Sequence, residues 1–284
     1  MAKKKSVLDF IKMKENGEQV TWITSYDFPM ASFAEQAGMD MILVGDSLGM
    51  VILGYNGTNP VTMDDCISHC QAVKRGAPNT FIVGDMPFGS YQVSDADAVA
   101  NACRFLKEAQ TDCIKLEGGT RVKSRIRAIT DAGIAVIGHI GLTPQSSGQL
   151  GGFKAQGRDI KSARATIEDA LAVQEAGAFA ILVEAVPPEL TAFLCKLLTI
   201  PVYSIGAGLA DGQLVICGDM LGLFQAFTPK FVKKYANVAE VETNAFKAYI
   251  DDVRARKFPA DEHVYHISDP IEKFEALFKE YSKK

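Results

Sequence analysis

The feature that most constrains the fold of this 284-residue chain is the alternation of short apolar runs with amphipathic stretches. Seven runs are rich in β-branched and aliphatic residues, and an eighth candidate follows them: 20–24, 41–45, 80–84, 113–117, 135–139, 180–184, 201–205 and 213–217. Helical patterns lie between most of these runs, for example at 95–109, 162–177 and 188–198. Continuously apolar strands that alternate with helices predict a parallel sheet covered by helices. Seven or eight such units in one chain predict an α/β fold, a (β/α)8 TIM barrel.

The whole chain, 1–284, is predicted to form a single barrel domain. We expect an N-terminal capping helix within 1–18, a barrel core at 20–228 and amphipathic C-terminal helices at 229–284. The segment 206–212 is too short for a crossover helix, so either the seventh unit is degenerate or the eighth strand is misplaced. A doubly wound open sheet is the alternative, but no Gly-x-Gly-x-x-Gly pattern follows the first strand.

Composition excludes several classes of protein. Hydrophobic residues make up 48% of the chain and the net charge is −4, which is too apolar and too nearly neutral for a disordered protein. No stretch approaches the roughly 20 apolar residues of a transmembrane helix. The lysines at 3–5 precede Ser6 and Val7 rather than an apolar segment, so we expect no secretory signal. The mildly acidic chain also lacks the basic stripe of a nucleic-acid-binding protein.

The six cysteines bear on the cellular compartment of the protein and on whether it holds a zinc ion. They are scattered and form no Cys-x-x-Cys pair, and reduced thiols are typical of a cytoplasmic protein. His69 between Cys66 and Cys70 is compatible with zinc. A structural zinc site, however, needs four ligands in recognisable spacing, so we favour a helix with both thiols on its packed face.

Polar residues end five consecutive predicted strands. They are Asp46 and Ser47, Asp85, Lys115 and Glu117, His139, and Glu184. In a (β/α)8 barrel the carboxyl ends of the strands carry the chemistry. An aspartate here can also cap a helix, but five such strand ends in a row favour an active site.

These residue types favour metal-assisted chemistry on a keto acid. Asp46, Asp85 and Glu117 offer hard oxygen ligands suited to Mg²⁺. Lys115 lies two residues from Glu117 on one strand, so both point to the same face, either into the barrel or towards the helices. A metal with a lysine can hold an α-keto acid and stabilise its enolate, and Glu184 is the candidate base.

Two glycine-rich segments leave alternatives open. The segment 141–158 lacks the Gly-Lys-Ser/Thr ending of a P-loop, and it is either a binding loop or a surface excursion. The segment 205–208 is similar to phosphate-binding turns late in such barrels, and a tight turn explains its glycines equally well.

Motifs along most of the chain resemble one enzyme family. They are TSYD at 24–27, LVGDSLGM at 43–50, GDMPF at 84–88, IKLEGG at 114–119, GHIGLTPQ at 138–145, GGFKAQG at 151–157, LVE at 182–184, IGAG at 205–208 and FPADEH at 258–263. Together they are similar to the ketopantoate hydroxymethyltransferase (3-methyl-2-oxobutanoate hydroxymethyltransferase) family of the phosphoenolpyruvate/pyruvate superfamily.

The resemblance implies transfer of a hydroxymethyl group from 5,10-methylenetetrahydrofolate to 3-methyl-2-oxobutanoate, giving ketopantoate for pantothenate and coenzyme A. It implies a homo-oligomer, commonly a decamer. By the family pattern Asp46 and Asp85 hold Mg²⁺, with Glu117 assisting directly or through water. It implies that the keto acid contacts Asp46, Ser47, Asp85, Lys115 and His139. Glu184 matches the base that removes the C3 proton.

Late in the chain the resemblance weakens, and two rival functions stay open. Val264, Tyr265 and His266 follow Glu262-His263 where the family often has Ser-Phe, which puts the C-terminal packing in doubt. A carbon–carbon lyase of the same superfamily would carry a Lys-Lys-Cys-Gly-His-type loop, which this sequence lacks. A catalytically silent binding or scaffold subunit would bind Mg²⁺ without turnover.

Overall fold

In the computed structural model, which describes residues 4–282, eight parallel strands close into a barrel in chain order. The strands are β1 Val20–Thr24, β2 Met41–Val44, β3 Phe81–Asp85, β4 Cys113–Glu117, β5 Val136–Gly141, β6 Ala180–Glu184, β7 Val202–Ile205 and β8 Gly212–Val215. The predicted (β/α)8 TIM barrel is therefore confirmed. Three strands have the predicted bounds, and the others differ by one or two residues at an end.

Helices of very different lengths surround and follow the strands. They are α1 Val7–Asn16, α2 Phe28–Ala37, α3 Leu48–Val51, α4 Met63–Gly76, α5 Asp95–Glu108, α6 Lys123–Asp131, α7 Ser147–Leu150, α8 Ile160–Glu175, α9 Pro188–Leu197, α10 Cys217–Met220, α11 Val238–Arg254 and α12 Ile271–Tyr281. Residues 1–3 of the predicted N-terminal segment and 283–284 of the C-terminal segment lie outside the described range.

Polar residues begin several of the long helices. The side chains of Asp27, Thr62, Ser94 and Asp159 accept a hydrogen bond from a backbone N–H in the first turn of α2, α4, α5 and α8. Each such bond satisfies a donor that the helix itself leaves without a partner. Local sequence therefore determines where these four helices start.

Inside the barrel the side chains change from apolar to polar along the strand direction. Trp22, Phe81 and Tyr203 are buried among the side chains that fill its amino-terminal half. Helix α1 packs against this end, with the Phe10 ring 5.0 Å from the Phe81 ring. Because this end is filled, the polar residues at the carboxyl ends line a cavity at the opposite end of the barrel.

Strand β8 closes the barrel without a preceding helix. It pairs with β7 on one side and with β1 on the other. The eighth strand is therefore correctly placed, and the seventh unit is degenerate because residues 206–211 form a short connection. The predicted strand end at Cys217 is wrong, since Cys217 begins α10 instead.

Contacts within the chain divide it into two compact units, with the boundary between Ala236 and Asn237. The first unit contains the barrel, and the second contains α11 and α12. The predicted single domain stays a prediction. Among residues 4–282 no helix combines the length and the apolar character needed to cross a bilayer.

Candidate active site

The carboxyl ends of the strands bring all the predicted site residues to one cavity of about 860 Å³. Its wall contains Asp46, Ser47, Asp85, Lys115, Glu117, His139 and Glu184. Strand register explains this convergence, because Asp85 lies opposite Lys115 and Glu117 lies opposite His139 in neighbouring strands. Ser47 and Glu184 are partly exposed, whereas the other five are buried. The predicted convergence of these side chains at the barrel mouth is observed.

Lys115 and Asp85 form a buried ion pair in this cavity. Lys115 Nζ lies 2.7 Å from Asp85 Oδ1, and neither side chain is more than 3% exposed. Burial lowers the pKa of Lys115, but Asp85, Glu117 and Asp46 more than offset it and raise this pKa. The shared face predicted for Lys115 and Glu117 is therefore the interior of the barrel, where the lysine keeps a fixed positive charge.

Among the buried side chains of this cavity, acidic residues outnumber basic ones. Burial raises the pKa of Asp46, and Asp85 and Glu117 raise it further. Burial also raises the pKa of Asp85, although Lys115 opposes that change. In Glu117, burial raises the pKa, but His139 and Lys115 outweigh it and lower the pKa. A cation bound among these carboxylates would relieve their repulsion.

The donor set fits a magnesium ion that keeps some of its water. Within residues 4–282 no group of three or more His, Cys, Asp or Glu already has the arrangement of a metal site. Magnesium, however, commonly takes only one or two protein carboxylates and completes its shell with water and substrate oxygens. Asp46 and Asp85 meet that requirement, since the Asp46 backbone N–H donates to Asp85 Oδ2 at 3.0 Å and holds the two residues together.

His139 lies between the lysine and two carboxylates. Its Nδ1 is 3.3 Å from Lys115 Nζ and 3.5 Å from Glu117 Oε1. Its Nε2 is 3.1 Å from Glu184 Oε2, out of line for a hydrogen bond. Burial and Lys115 lower the pKa of His139, whereas Glu117 and Glu184 raise it, and the result is about 9. The imidazole therefore lies within contact distance of both carboxylates, and their negative charge favours its protonated form.

Glu184 is held at the end of β6 by close backbone packing. Gly141 of β5 lies opposite it with φ of +87°, and a Cβ at Gly141 would collide with the Glu184 carbonyl oxygen. Ala185, the next residue, adopts φ of +48°, a left-handed conformation that is strained for a non-glycine residue. The close approach of Gly141 and the conformation of Ala185 thus fix the backbone from which the Glu184 side chain reaches the cavity wall.

Gln145 is a site residue that the sequence analysis did not identify. Its Nε2 donates to Asp46 Oδ2 at 2.8 Å and to the Met86 carbonyl at 3.0 Å. Its backbone N–H donates to Glu117 Oε2 at 3.0 Å. Tyr91 donates its hydroxyl to Gln145 Oε1 at 2.6 Å. One buried residue therefore contacts two of the three carboxylates, Asp46 through its side chain and Glu117 through its backbone. The available sequence signal was its place in the 138–145 motif.

Tyr26 is a second residue that the sequence analysis did not identify. It is buried, and its hydroxyl lies 2.8 Å from Ser47 Oγ. Burial raises the pKa of Tyr26, with smaller contributions from Cys217 and Asp219. The tyrosine thus stays neutral and supports Ser47 from the 24–27 motif.

The structure also describes the two glycine-rich segments, 141–158 and 205–208, for which the sequence left alternatives open. The 141–158 segment contributes Phe153, Ala155 and Arg158 to the cavity wall, as expected for a binding loop. Gly206 and Gly208 have φ of +64° and +86°, so a tight turn suffices to explain them.

The cysteines take no part in this site. Cys66 and Cys70 are buried on α4, as the helix interpretation predicts. His69 Nδ1 is hydrogen-bonded to the Tyr26 carbonyl. Among the described residues that line the cavity there is no cysteine, which disfavours the lyase alternative.

Comparison with known proteins gives one consistent family. A family model described as ketopantoate hydroxymethyltransferase matches residues 4–261. A 3-methyl-2-oxobutanoate hydroxymethyltransferase of Alkaliphilus metalliredigens (strain QYMF) is 76% identical over 281 residues, which cover 99% of this chain and 100% of that protein. The enzyme of the same name from Bacillus subtilis (strain 168) is 52% identical, over 94% of this chain and 97% of that protein.

Solved structures with low sequence identity share the fold. The phosphoenolpyruvate phosphomutase from Streptomyces platensis subsp. rosaceus has a TM-score of 0.61 at 15% identity and covers 98% of each chain. A phosphonopyruvate hydrolase complex with oxalate and Mg²⁺ has a TM-score of 0.58 at 14% identity and covers 99% of each chain. At this identity the likeness concerns the barrel alone.

Proposed function

The chain belongs to the ketopantoate hydroxymethyltransferase family, and we propose that it transfers a hydroxymethyl group from 5,10-methylenetetrahydrofolate to 3-methyl-2-oxobutanoate. The product is ketopantoate, a precursor of pantothenate and coenzyme A. One observation carries the proposal: a lysine, three carboxylates and a carboxylate–histidine pair face one cavity.

Lys115 and Ser47 are the groups that bind the keto acid. The substrate carries a carboxylate beside a carbonyl, and the buried ammonium of Lys115 is a suitable partner for either oxygen. Ser47 adds a hydroxyl whose orientation Tyr26 fixes at 2.8 Å. Asp85 holds Lys115 in place at 2.7 Å, so the ammonium does not have to reorganise during the reaction.

Asp46 and Asp85 are the residues that would hold Mg²⁺, with Glu117 assisting directly or through water. Bound there, the ion would polarise the keto carbonyl and stabilise the enolate form of the substrate. Gln145 positions the Asp46 and Glu117 carboxylates through its side chain and backbone, respectively.

Glu184 is the base that accepts the C3 proton. Its carboxylate lines the cavity and is the least enclosed of the acidic groups there. His139 orients the Glu184 carboxylate on one side and the substrate on the other. The C3–H bond breaks, its proton passes to Glu184, and its electron pair forms a new bond from C3 to the one-carbon carbon. Both C–N bonds that hold this carbon to N5 and N10 of the folate break, and water supplies the oxygen of the one-carbon unit and the two protons that tetrahydrofolate gains. The proton on Glu184 returns to that oxygen, which becomes the hydroxyl of ketopantoate.

The test is proton NMR of 3-methyl-2-oxobutanoate in D₂O with the protein and Mg²⁺. We expect the C3 proton signal to disappear, and EDTA to abolish this exchange. Addition of tetrahydrofolate and formaldehyde should then produce ketopantoate. Folded, Mg²⁺-supplemented protein that gives neither exchange nor product would overturn the proposal and favour a catalytically silent binding subunit.

The proposal extends to assembly and location. We carry over the decamer of the family, supported by the exposed apolar side chains of α11 and α12, such as Phe246, Tyr249 and Phe278. Six free thiols are compatible with a cytoplasmic enzyme. Analytical ultracentrifugation tests the assembly, and a monomer at micromolar concentration would contradict it.

A further inference from the structure

The cavity is larger than the keto acid requires. Its volume is about 860 Å³, within the roughly 300–1,000 Å³ typical of pockets for drug-sized ligands. 3-Methyl-2-oxobutanoate has only about eight non-hydrogen atoms, so it occupies a small part of a pocket of that size. The remaining space is available to the second substrate of the proposed reaction.

Asp219 is a buried carboxylate in this cavity that the keto-acid chemistry does not use. It lies in α10, directly after β8, and is only 5% exposed. Within residues 4–282 no group hydrogen-bonds to its carboxylate or forms an ion pair with it. Burial raises its pKa to about 6 and Lys234 opposes this, so the carboxylate is mostly ionised at neutral pH. Such a buried acceptor needs N–H or O–H donors, which a ligand can supply.

Asp219 lines the same cavity as Ser47 and Lys115, the proposed keto-acid contacts. Its charge acts on Tyr26, although less than burial and Cys217 do, and Tyr26 contacts Ser47. A ligand bound to Asp219 would therefore approach the keto acid within the same cavity.

Aromatic side chains form the outer wall of this cavity. Phe153, Phe227 and Phe231 line it, and they are 55%, 52% and 43% exposed. The Phe224 and Phe227 rings meet edge to face, with centroids 5.7 Å apart. Exposed aromatic rings that line a concave site are typical of a site for a flat, largely apolar ligand.

Two cations complete the pattern at the exposed part of the cavity. Arg158 and Lys230 line it and are exposed. Within the described chain neither has an ion-pair partner. They provide positive charge for an acidic part of the same ligand that extends towards solvent.

We propose that Asp219 binds the N3–H and 2-amino group of the pterin ring of the reduced folate. A carboxylate accepts two parallel N–H donors in a bidentate pair, the arrangement it forms with a guanidinium group. The exposed aromatic rings flank the flat part of the folate, and Arg158 and Lys230 face its glutamate carboxylates. This inference rests on the proposed function, because it identifies the part of the site that holds the one-carbon donor.

The test separates folate binding from keto-acid chemistry in the full-length protein with Mg²⁺. Asp219→Asn should weaken tetrahydrofolate binding, measured by isothermal titration calorimetry, by about 10-fold to 100-fold, because it removes a charged hydrogen-bond acceptor. Folate-independent exchange of the C3 proton in D₂O should stay within about twofold of the wild-type rate, since losing this one bond leaves the keto-acid contacts intact. Asp252→Asn, at an exposed site in the second unit, is the matched control and should leave both quantities unchanged.

A folate analogue tests the hydrogen bond itself. Wild-type protein should bind 2-desamino-2-methyl-tetrahydrofolate about 10-fold more weakly than tetrahydrofolate, whereas Asp219→Asn should discriminate much less, because the two changes remove the same contact. Phe227→Ala, a change at an exposed ring, should weaken the binding of both folates without altering exchange.

Two results would overturn this inference while leaving the proposed function intact. One is an Asp219→Asn protein that binds tetrahydrofolate with wild-type affinity. The other is equal discrimination against the analogue by wild-type and Asp219→Asn proteins. Wild-type protein that shows neither exchange nor product would instead overturn the proposed function itself.

Discussion

The side-chain amide of Gln145 donates to Asp46 Oδ2 at 2.8 Å, across 99 positions of sequence. The same residue donates its backbone N–H to Glu117. Gln145→Ala removes the amide and leaves the Tyr91 hydroxyl and the Met86 carbonyl without this buried partner. We expect a loss of about 1–3 kcal/mol in the free energy of unfolding and about a 10-fold to 100-fold lower kcat/KM.

Urea denaturation and steady-state kinetics measure the two effects of Gln145→Ala. Gln149→Ala, at an exposed position of the same loop, is the control. Equal activity of the two variants would show that Gln145 does not position the carboxylates.

Glu184→Gln should bind the keto acid and Mg²⁺ normally but lose about 10²–10⁴-fold in C3 proton exchange, because an amide cannot accept the proton. NMR exchange in D₂O measures the rate, and calorimetry measures binding. Glu189→Gln, on an exposed position of α9, is the control. If Glu184→Gln exchanged the C3 proton at the wild-type rate, Glu184 would not be the base.

Asp85→Asn should weaken the binding of Mg²⁺ and keto acid together, because Asp85 is both a proposed metal ligand and the partner of Lys115 at 2.7 Å. Removing one member of a buried pair also costs about 3 kcal/mol of stability. Asp95→Asn breaks an exposed pair with Arg125 and should cost at most about 1 kcal/mol. Thermal unfolding compares the stability of the Asp85→Asn and Asp95→Asn proteins, and titration calorimetry compares their binding of Mg²⁺ and keto acid. Equal losses of stability and binding in the two variants would contradict the importance of the buried pair.

The stability of the metal-free protein should depend on the charge of His139. Its pKa in the folded protein is about 9, above the ordinary value of 6.5, because Glu117 and Glu184 outweigh burial and Lys115. A raised pKa stabilises the fold fully below pH 6.5, and this contribution disappears as pH rises through 9. Between pH 6.5 and pH 9 we expect the free energy of unfolding of the wild-type protein to fall by about 3 kcal/mol relative to that of His139→Asn.

Urea denaturation in EDTA at several pH values measures this change for both proteins. The wild-type and His139→Asn free energies of unfolding should converge at high pH. A constant difference between pH 6 and pH 9.5 would show that folding does not raise the pKa of His139.

The sequence predicted the strands well because their signal is local. β1, β4 and β6 have the predicted bounds, since each is a short, largely apolar or β-branched run between polar turns. At β8 the apolar run continues past the strand into α10, so the pattern alone does not show where the strand ends.

The ionisable part of the site was also predictable. Asp46, Asp85, Lys115, Glu117, His139 and Glu184 directly follow or end buried strands, and a closed barrel gathers such ends at one opening. Gln145 and Asp219 were missed because each lies beyond a strand end, in a loop or a short helix. Tyr26 lies as close to β1 as Asp46 does to β2, and it was missed because an aromatic residue after a strand is also typical of the core.

What the sequence determined by itself is the barrel and the kind of chemistry at its mouth, because apolar periodicity and strand-end polarity are properties of neighbouring residues. What only the tertiary structure decided is which groups touch. Tyr91 meets Gln145 across 54 positions, and Asp46 meets the same amide across 99. Such contacts depend on how strands and loops close in three dimensions, and no spacing along the chain encodes them. The tertiary structure also shows that Asp219 is buried in the same cavity with no hydrogen-bond or ion-pair partner for its carboxylate among residues 4–282.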